Sequence, residues 1–195
     1  MSFLLKDTIL PTKICISITS KTLGYTMYLD DEEDIILSTS INNLVRQVFI
    51  LYSGRIAEKM FMNEITCGAE DDYTKARKIL KRLVLNGMLL PDVNLIGHTG
   101  DDKNSLPEYI EKILRKINNY IVNQIEQIFN EVRPIIIETS EQIVLNNSIN
   151  GDDISNIFNK LDLDSRIHSI DINDNITEII DIISVNNKDN IISNL

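Results

Sequence analysis

Cysteine, tryptophan, histidine and positive charge are all scarce in this sequence. The two cysteines, Cys15 and Cys67, stand far apart and form no CxxC pair. That excludes a disulfide framework and makes a reducing environment the expectation. No apolar run approaches the roughly 20 residues that a membrane helix needs. Residues 1–11 carry a short apolar patch, Phe3, Leu4 and Leu5, with neither the basic region nor the length of a signal peptide. A soluble, intracellular chain is therefore expected, and the sequence names no compartment. Lys and Arg number 19 against 29 Asp and Glu, a net charge of -10. A chain this acidic repels a phosphate backbone and an anionic membrane surface alike. No GxxxxGK[ST] phosphate loop occurs, so ATP hydrolysis is not assigned to these residues.

Apolar material, by contrast, is ample. Hydrophobic residues make up 43% of the 195, enough for one domain with a real core. Ile and Asn dominate and often stand side by side, as in Ile135-Ile136-Ile137 and Asn146-Asn147. An AT-rich coding sequence explains both without a functional cause.

Periodicity orders the chain. Residues 14–18 alternate with period two, and residues 23–29 are rich in aromatics and Thr. With Ser20-Lys21-Thr22 as the turn, this predicts a short β-hairpin. An acidic run at 30–34 reads as a solvated loop. Ser40 caps a helix whose apolar face is Ile41, Leu44, Val45, Val48, Tyr52 and Ile56. Ser53-Gly54 near its end predicts that another backbone packs closely there. After a connection at 63–72, Asp71 and Asp72 open a second helix with core face Ala76, Ile79, Leu80, Leu83 and Val84, stopped by Asn86-Gly87. Its other face carries Lys75, Arg77, Lys78, Lys81 and Arg82, which in so acidic a chain reads as a solvated face. Residues 88–104 read as loop. Ser105 and Glu108 match a capping box before a long amphipathic helix through Ile110, Ile113, Leu114, Ile117, Ile121, Ile125, Ile128 and Phe129. Pro134 marks a break, and a last good helix runs to about Leu145, predicting a helical hairpin. The sum is a mostly helical α+β domain over residues 1–150. An acidic, Ile- and Asn-rich tail follows over 151–195, with short helices at 154–161 and 176–185, and is expected to be mobile in part.

One stretch is more specific. It reads Ser53-Gly54-Arg55-Ile56-Ala57-Glu58, then Asn63-Glu64-Ile65-Thr66-Cys67-Gly68-Ala69-Glu70-Asp71-Asp72, and ends at Gly87-Met88. Upstream stands Leu23-Gly24-Tyr25-Thr26. This resembles the FtsH family of membrane-bound AAA proteases, whose pattern runs GGRAAE, a short spacer, GE-[VI]-TTGA-x-[ND]-D, an Ala- and Arg-containing helix, then GM. LGYT before an acidic loop is also similar to that family. The likeness spans roughly residues 10–155 without a gap through the central motifs. It implies the peptidase domain of an ATP-dependent zinc metalloendopeptidase, with the Asp that ends the GA-x-x-D motif, here Asp72, as third zinc ligand. Taken without the resemblance, Asp72 reads as a carboxylate that favours the positive end of its helix dipole.

The resemblance also defines what is missing. The family's catalytic helix carries HExxH, two zinc-binding imidazoles on one helix face and a Glu that activates water. Here the histidines are His98 and His168 alone, and neither belongs to such a motif. In the family HExxH lies shortly before the region matching residues 12–26, so Met1 falls just after its place. His98, within Gly97-His98-Thr99-Gly100, reads as a surface loop residue, and Cys67 stands where the family has Thr. A catalytic zinc needs three protein ligands, and Asp72 is one. The chain is therefore expected to bind no zinc stably by itself and to be inactive alone, with HExxH supplied by upstream sequence or a second chain. A protein substrate follows only when that helix is supplied. The alternative is a non-catalytic interaction or regulatory remnant, joining FtsH-like protease subunits, whose rings the resemblance implies, or a second copy of itself. A nucleic-acid binder using residues 75–82 is disfavoured by the net charge.

Overall fold

The computed structural model describes residues 1–16, 24–28, 40–86, 88–89 and 108–193. The expected turn at 20–22, the acidic run at 30–34, the Gly87 stop, the loop bearing His98 and the Ser105 capping box lie outside these residues. The chain divides into two compact units, Met1–Thr39 with Gln127–Asp171, and Ser40–Glu126 with Ile172–Leu195.

The first unit is built on a small sheet. Strand β1 (Lys13–Ile16) pairs antiparallel with β2 (Gly24–Met27), Lys13 opposite Met27 and Ile16 opposite Gly24. The hairpin read from alternation is present. Gly24 is where the strands need room, because a Cβ there would lie 2.6 Å from the Cys15 carbonyl oxygen. That accounts physically for the glycine of the Leu-Gly-Tyr-Thr motif. Helix α4 (Arg133–Asn146) carries Pro134 in its first turn, where a missing N–H costs nothing. It ends at Asn147 in the left-handed region (φ 59°). The chain then turns into β3 (Ser148–Asn150), antiparallel on the free edge of β1, giving the order β2-β1-β3. Sequence periodicity missed β3, since three residues are too few for alternation to show. Asn150 next starts α5 (Gly151–Lys160) with a capping box, its backbone N–H donating to the Asp153 carboxylate at 3.1 Å. The apolar patch at the start of the chain is core here. Phe3, Leu4 and Leu5 are buried, Leu5 bridges Ile170, and the Phe3 ring stacks on Phe158 with centroids 6.1 Å apart.

The second unit is helical. In α1 (Ile41–Ala57) the Ser40 hydroxyl accepts from the Asn43 N–H at 3.3 Å, and Leu44, Val45, Val48, Phe49, Tyr52 and Ile56 form the buried stripe. Helix α2 (Glu70–Leu85) buries Ala76, Leu80, Leu83 and Val84. Helix α3 (Glu108–Glu131) belongs to this unit as far as Glu126, and Ile113, Ile117, Ile121 and Ile125 are wholly buried. Each such side chain contributes about 1.5–3 kcal/mol of transfer free energy. Helix α6 (Ile172–Ser193) packs on α1 with Ile172, Ile179 and Ile183 buried. Two amide contacts fix it: Asn42 donates to Asn173 at 2.9 Å, and buried Asn175 donates to the Tyr120 hydroxyl at 3.1 Å. Among the described residues, the close backbone approach expected at Ser53-Gly54 is not found at Gly54. A Cβ on Gly54 would meet no described atom within 4 Å, while Ser53 is buried and its hydroxyl donates back to the Phe49 carbonyl at 2.5 Å. The i−4 bond satisfies the buried Ser53 hydroxyl within its own helix. Among the described residues, no helix is long and apolar enough to cross a membrane.

Candidate metal-ligand site

Asp72 stands in the first turn of α2, after Glu70 and Asp71. The path to that turn begins at the end of α1, which widens into a π-turn over Glu58–Met62 and closes at Asn63 in the left-handed region (φ 54°). Such π-turns bend a helix end and recur where a chain must re-aim a side chain. Residues 64–66 follow, and Thr66 caps a single 3-10 turn (Cys67–Ala69) by accepting from the Gly68 N–H at 3.2 Å.

Two of the motifs read from the sequence meet here. Glu58, last residue of the Ser53–Glu58 hexapeptide, accepts from the Thr66 N–H at 3.2 Å and from the Thr66 hydroxyl at 2.8 Å. A carboxylate accepting two bonds from one residue fixes the span between them. Tyr73, immediately after Asp72, is held as firmly. Its ring stacks on Tyr52 at 4.9 Å, the Arg55 guanidinium lies 5.1 Å from its centroid, and its hydroxyl donates to Asn118 at 3.2 Å. Burial, with the neighbouring Tyr73 phenol second, pushes the Tyr52 phenol well above its usual range. Arg55 and Glu58 of one motif thus contact Tyr73 and Thr66, which flank the segment that carries Asp72. The Asp72 carboxylate itself is half-buried and makes no hydrogen bond or ion pair with another described residue. Glu58→Ala is expected to cost about 1 kcal/mol in urea titration and to speed amide exchange at Thr66, with Glu58→Gln falling between. Unchanged exchange at Thr66 in the Ala variant would rule the tie out.

The other candidates lie elsewhere. Cys67 is exposed in the 3-10 turn, and Cys15 is buried in β1. His168 belongs to the first unit and does structural work. With φ 53°, its backbone N–H donates to the Phe3 carbonyl at 2.8 Å, and Nδ1 lies 2.8 Å from the Leu5 carbonyl oxygen. It pins the first residues of the chain. His98 is outside the described residues. Among the described residues no three His, Cys, Asp or Glu side chains gather at metal-binding range. These residues therefore do not fit a catalytic zinc by themselves, since Asp72 brings one hard oxygen donor where three protein ligands are needed. Sequence reasoning singled out Asp72 but missed the Glu58–Thr66 tie and the Tyr73 contacts on either side of its segment. Glu58 was visible in the motif, while its bond to Thr66 arises only through the π-turn between them.

The sequence pattern of peptidase family M41 matches residues 1–156. The ATP-dependent zinc metalloprotease FtsH of Helicobacter pylori (strain J99) is 26% identical over 128 residues, covering 62% of this chain and 20% of the relative. FtsH 1 of Thermoanaerobacter sp. (strain X514) is 24% identical over 156 residues, covering 72% of this chain and 25% of the relative. FtsH of Endomicrobium trichonymphae is 39% identical over 72 residues, covering 37% of this chain and 11% of the relative. The chain thus spans a quarter or less of the length of these curated relatives. Because that pattern matches residues 1–156, a span that includes Gly24, Arg55, Glu58 and Asp72, the chain belongs to peptidase family M41 and is related to zinc metalloproteases.

Proposed function

We propose that residues 1–150 form the part of a zinc peptidase domain that follows the HExxH helix, with 151–195 as an appended segment. In this reading Asp72 is the chain's contribution to the zinc, and peptide cleavage waits on the helix that carries the other two ligands. The observation that supports it is the placement of Asp72. By the motif resemblance it takes the position of the third ligand, in the first turn of α2, between Thr66, which Glu58 holds, and Tyr73, which Arg55 contacts, with its carboxylate uncommitted to any described partner. The reading expects no cleavage by these 195 residues alone, because Asp72 is the one zinc donor it assigns among the described residues. The test joins an HExxH-bearing helix from one of the relatives to this chain and follows casein cleavage. Zinc-dependent cleavage is expected from the joined protein and none from the 195 residues alone. Cleavage by the chain alone would overturn the proposal, as would a joined protein that binds zinc and stays inert.

A second reading, association without catalysis, is favoured by a different observation. On α4, Ile137, Val144 and Leu145 are 43%, 70% and 73% exposed. Ile137 and Val144 are two helical turns apart on one face. Exposed apolar side chains grouped this way suit a partner, either a second copy or a protease subunit. Sedimentation is expected to show species larger than a monomer, and Val144→Lys with Leu145→Lys should abolish them. A strict monomer at all concentrations, with no co-purifying protease, would remove this reading.

A further inference from the structure

The second unit contains a cleft of about 290 Å³ between α2 and α3 that the zinc reading leaves unused. Its floor is apolar, with Leu80 and Leu114 both buried. Tyr52 also lines it, its ring buried and stacked on Tyr73 and its hydroxyl making no hydrogen bond with another described residue. Two guanidinium groups stand at the opening. Arg77 is paired only loosely, reaching Glu111 at 3.4 Å with 64% of its side chain exposed. Arg115 is exposed and has no ion pair with a described residue. Asn118 accepts from Tyr73 through its amide oxygen, which leaves its NH₂ as a donor.

Donors therefore outnumber acceptors. Two guanidinium groups, a phenol and an amide NH₂ face a single carboxylate, in a chain whose net charge is -10. We propose that this cleft binds the carboxyl-terminal residue of a peptide, with its α-carboxylate between Arg115 and Arg77 and its aliphatic side chain on Leu80 and Leu114. Guanidinium groups take a carboxylate in a two-bond geometry, which an ammonium does not. The volume is at the small end for ligand pockets and holds one or two residues. A terminal residue carries its carboxylate and its apolar side chain on one carbon, so both halves of so small a cleft fill together. An internal glutamate would have to bring its flanking amides over the same apolar floor. The inference does not depend on Asp72 or on zinc.

The test is an amide NMR titration of the full 195-residue chain with three probes: acetyl-Ala-Leu as the free acid, the same dipeptide as its amide, and acetyl-Gly-Glu-Gly-amide. The free acid is expected to bind with Kd on the order of 1 mM, shifting amides of residues 73–80 and 111–118. The amide should bind about tenfold more weakly, and Arg115→Gln should weaken the free acid by about tenfold. Arg115 is exposed, so that variant keeps its fold, and Arg77→Gln provides an independent second arm. No shifts at ~10 mM would overturn the proposal. So would equal binding of the amidated dipeptide, preferential binding of the glutamyl peptide, or indifference to both Arg substitutions.

Discussion

In a protein that joins this chain to an HExxH helix, Asp72→Asn is expected to lower zinc-dependent cleavage at least about a hundredfold while leaving stability nearly unchanged. Loss of groups that merely orient a metal ligand costs 10–100-fold in affinity or activity, so loss of a ligand itself costs more. Asn keeps the shape of Asp and removes the anionic oxygen. The stability side is small for a local reason. Asp72 has no described hydrogen-bond partner, and Glu70 and Asp71 remain in the same first turn to favour the helix dipole. A first-turn carboxylate contributes roughly 0.3–1 kcal/mol. The two readings of Asp72 therefore separate cleanly. If it served only the dipole, kcat/KM would change little and would follow the urea midpoint. If it serves the metal, kcat/KM falls while the midpoint stays.

The second large effect concerns pH. With a free amino terminus, the 195-residue chain is expected to gain about 2–3 kcal/mol of stability between pH 6 and pH 8. Burial lowers the Met1 amine from 8.0 to about 6. The Met1 carbonyl accepts from the Leu4 N–H at 2.9 Å and the Leu5 N–H at 3.3 Å, which holds the half-buried Met1 beside the buried Leu4 and Leu5. The unfolded chain takes up its proton near pH 8, and the folded chain does so only near pH 6. Between those values the unfolded state holds more protons, so stability rises with pH. The contribution is complete above about pH 8, is lost as pH falls through about 6, and changes no further below. Glu138, held down chiefly by its hydrogen bond to Lys160, acts in a separate window below its ordinary value of 4.5. Urea midpoints at several pH values, for the free and the amino-acetylated chain, isolate the amine. The acetylated chain should lack the slope, and equal slopes in both would refute the account.

Helices were the legible part of this sequence. The buried stripes of α1, α2 and α3 were predicted almost residue by residue, because each repeats apolar side chains at helical spacing over three or more turns. Elements governed by fewer residues were not legible. Strand β3 has three residues, and α6 begins among Asn and Asp that mask its apolar face, so its span of Ile172–Ser193 exceeds the helix expected at 176–185. Gly54 shows the reverse error. A small residue was read as a packing device, and no described atom lies within 4 Å of where its Cβ would stand. At the candidate site, the pattern pointed to Asp72 through its motif. The grip on it depends on where a π-turn places Glu58 against Thr66, and on Tyr52, Arg55 and Asn118 converging on Tyr73, which spacing along the chain does not encode.

Zinc binding tests the central claim most directly. Equilibrium dialysis of three proteins suffices: the 195-residue chain, the chain joined to an HExxH helix, and the joined chain carrying Asp72→Asn. The account predicts one tightly held zinc in the joined chain, at least about a hundredfold weaker binding in its Asn variant, and no stable binding by the chain alone. Equal zinc affinity with Asp and with Asn at position 72 would contradict it.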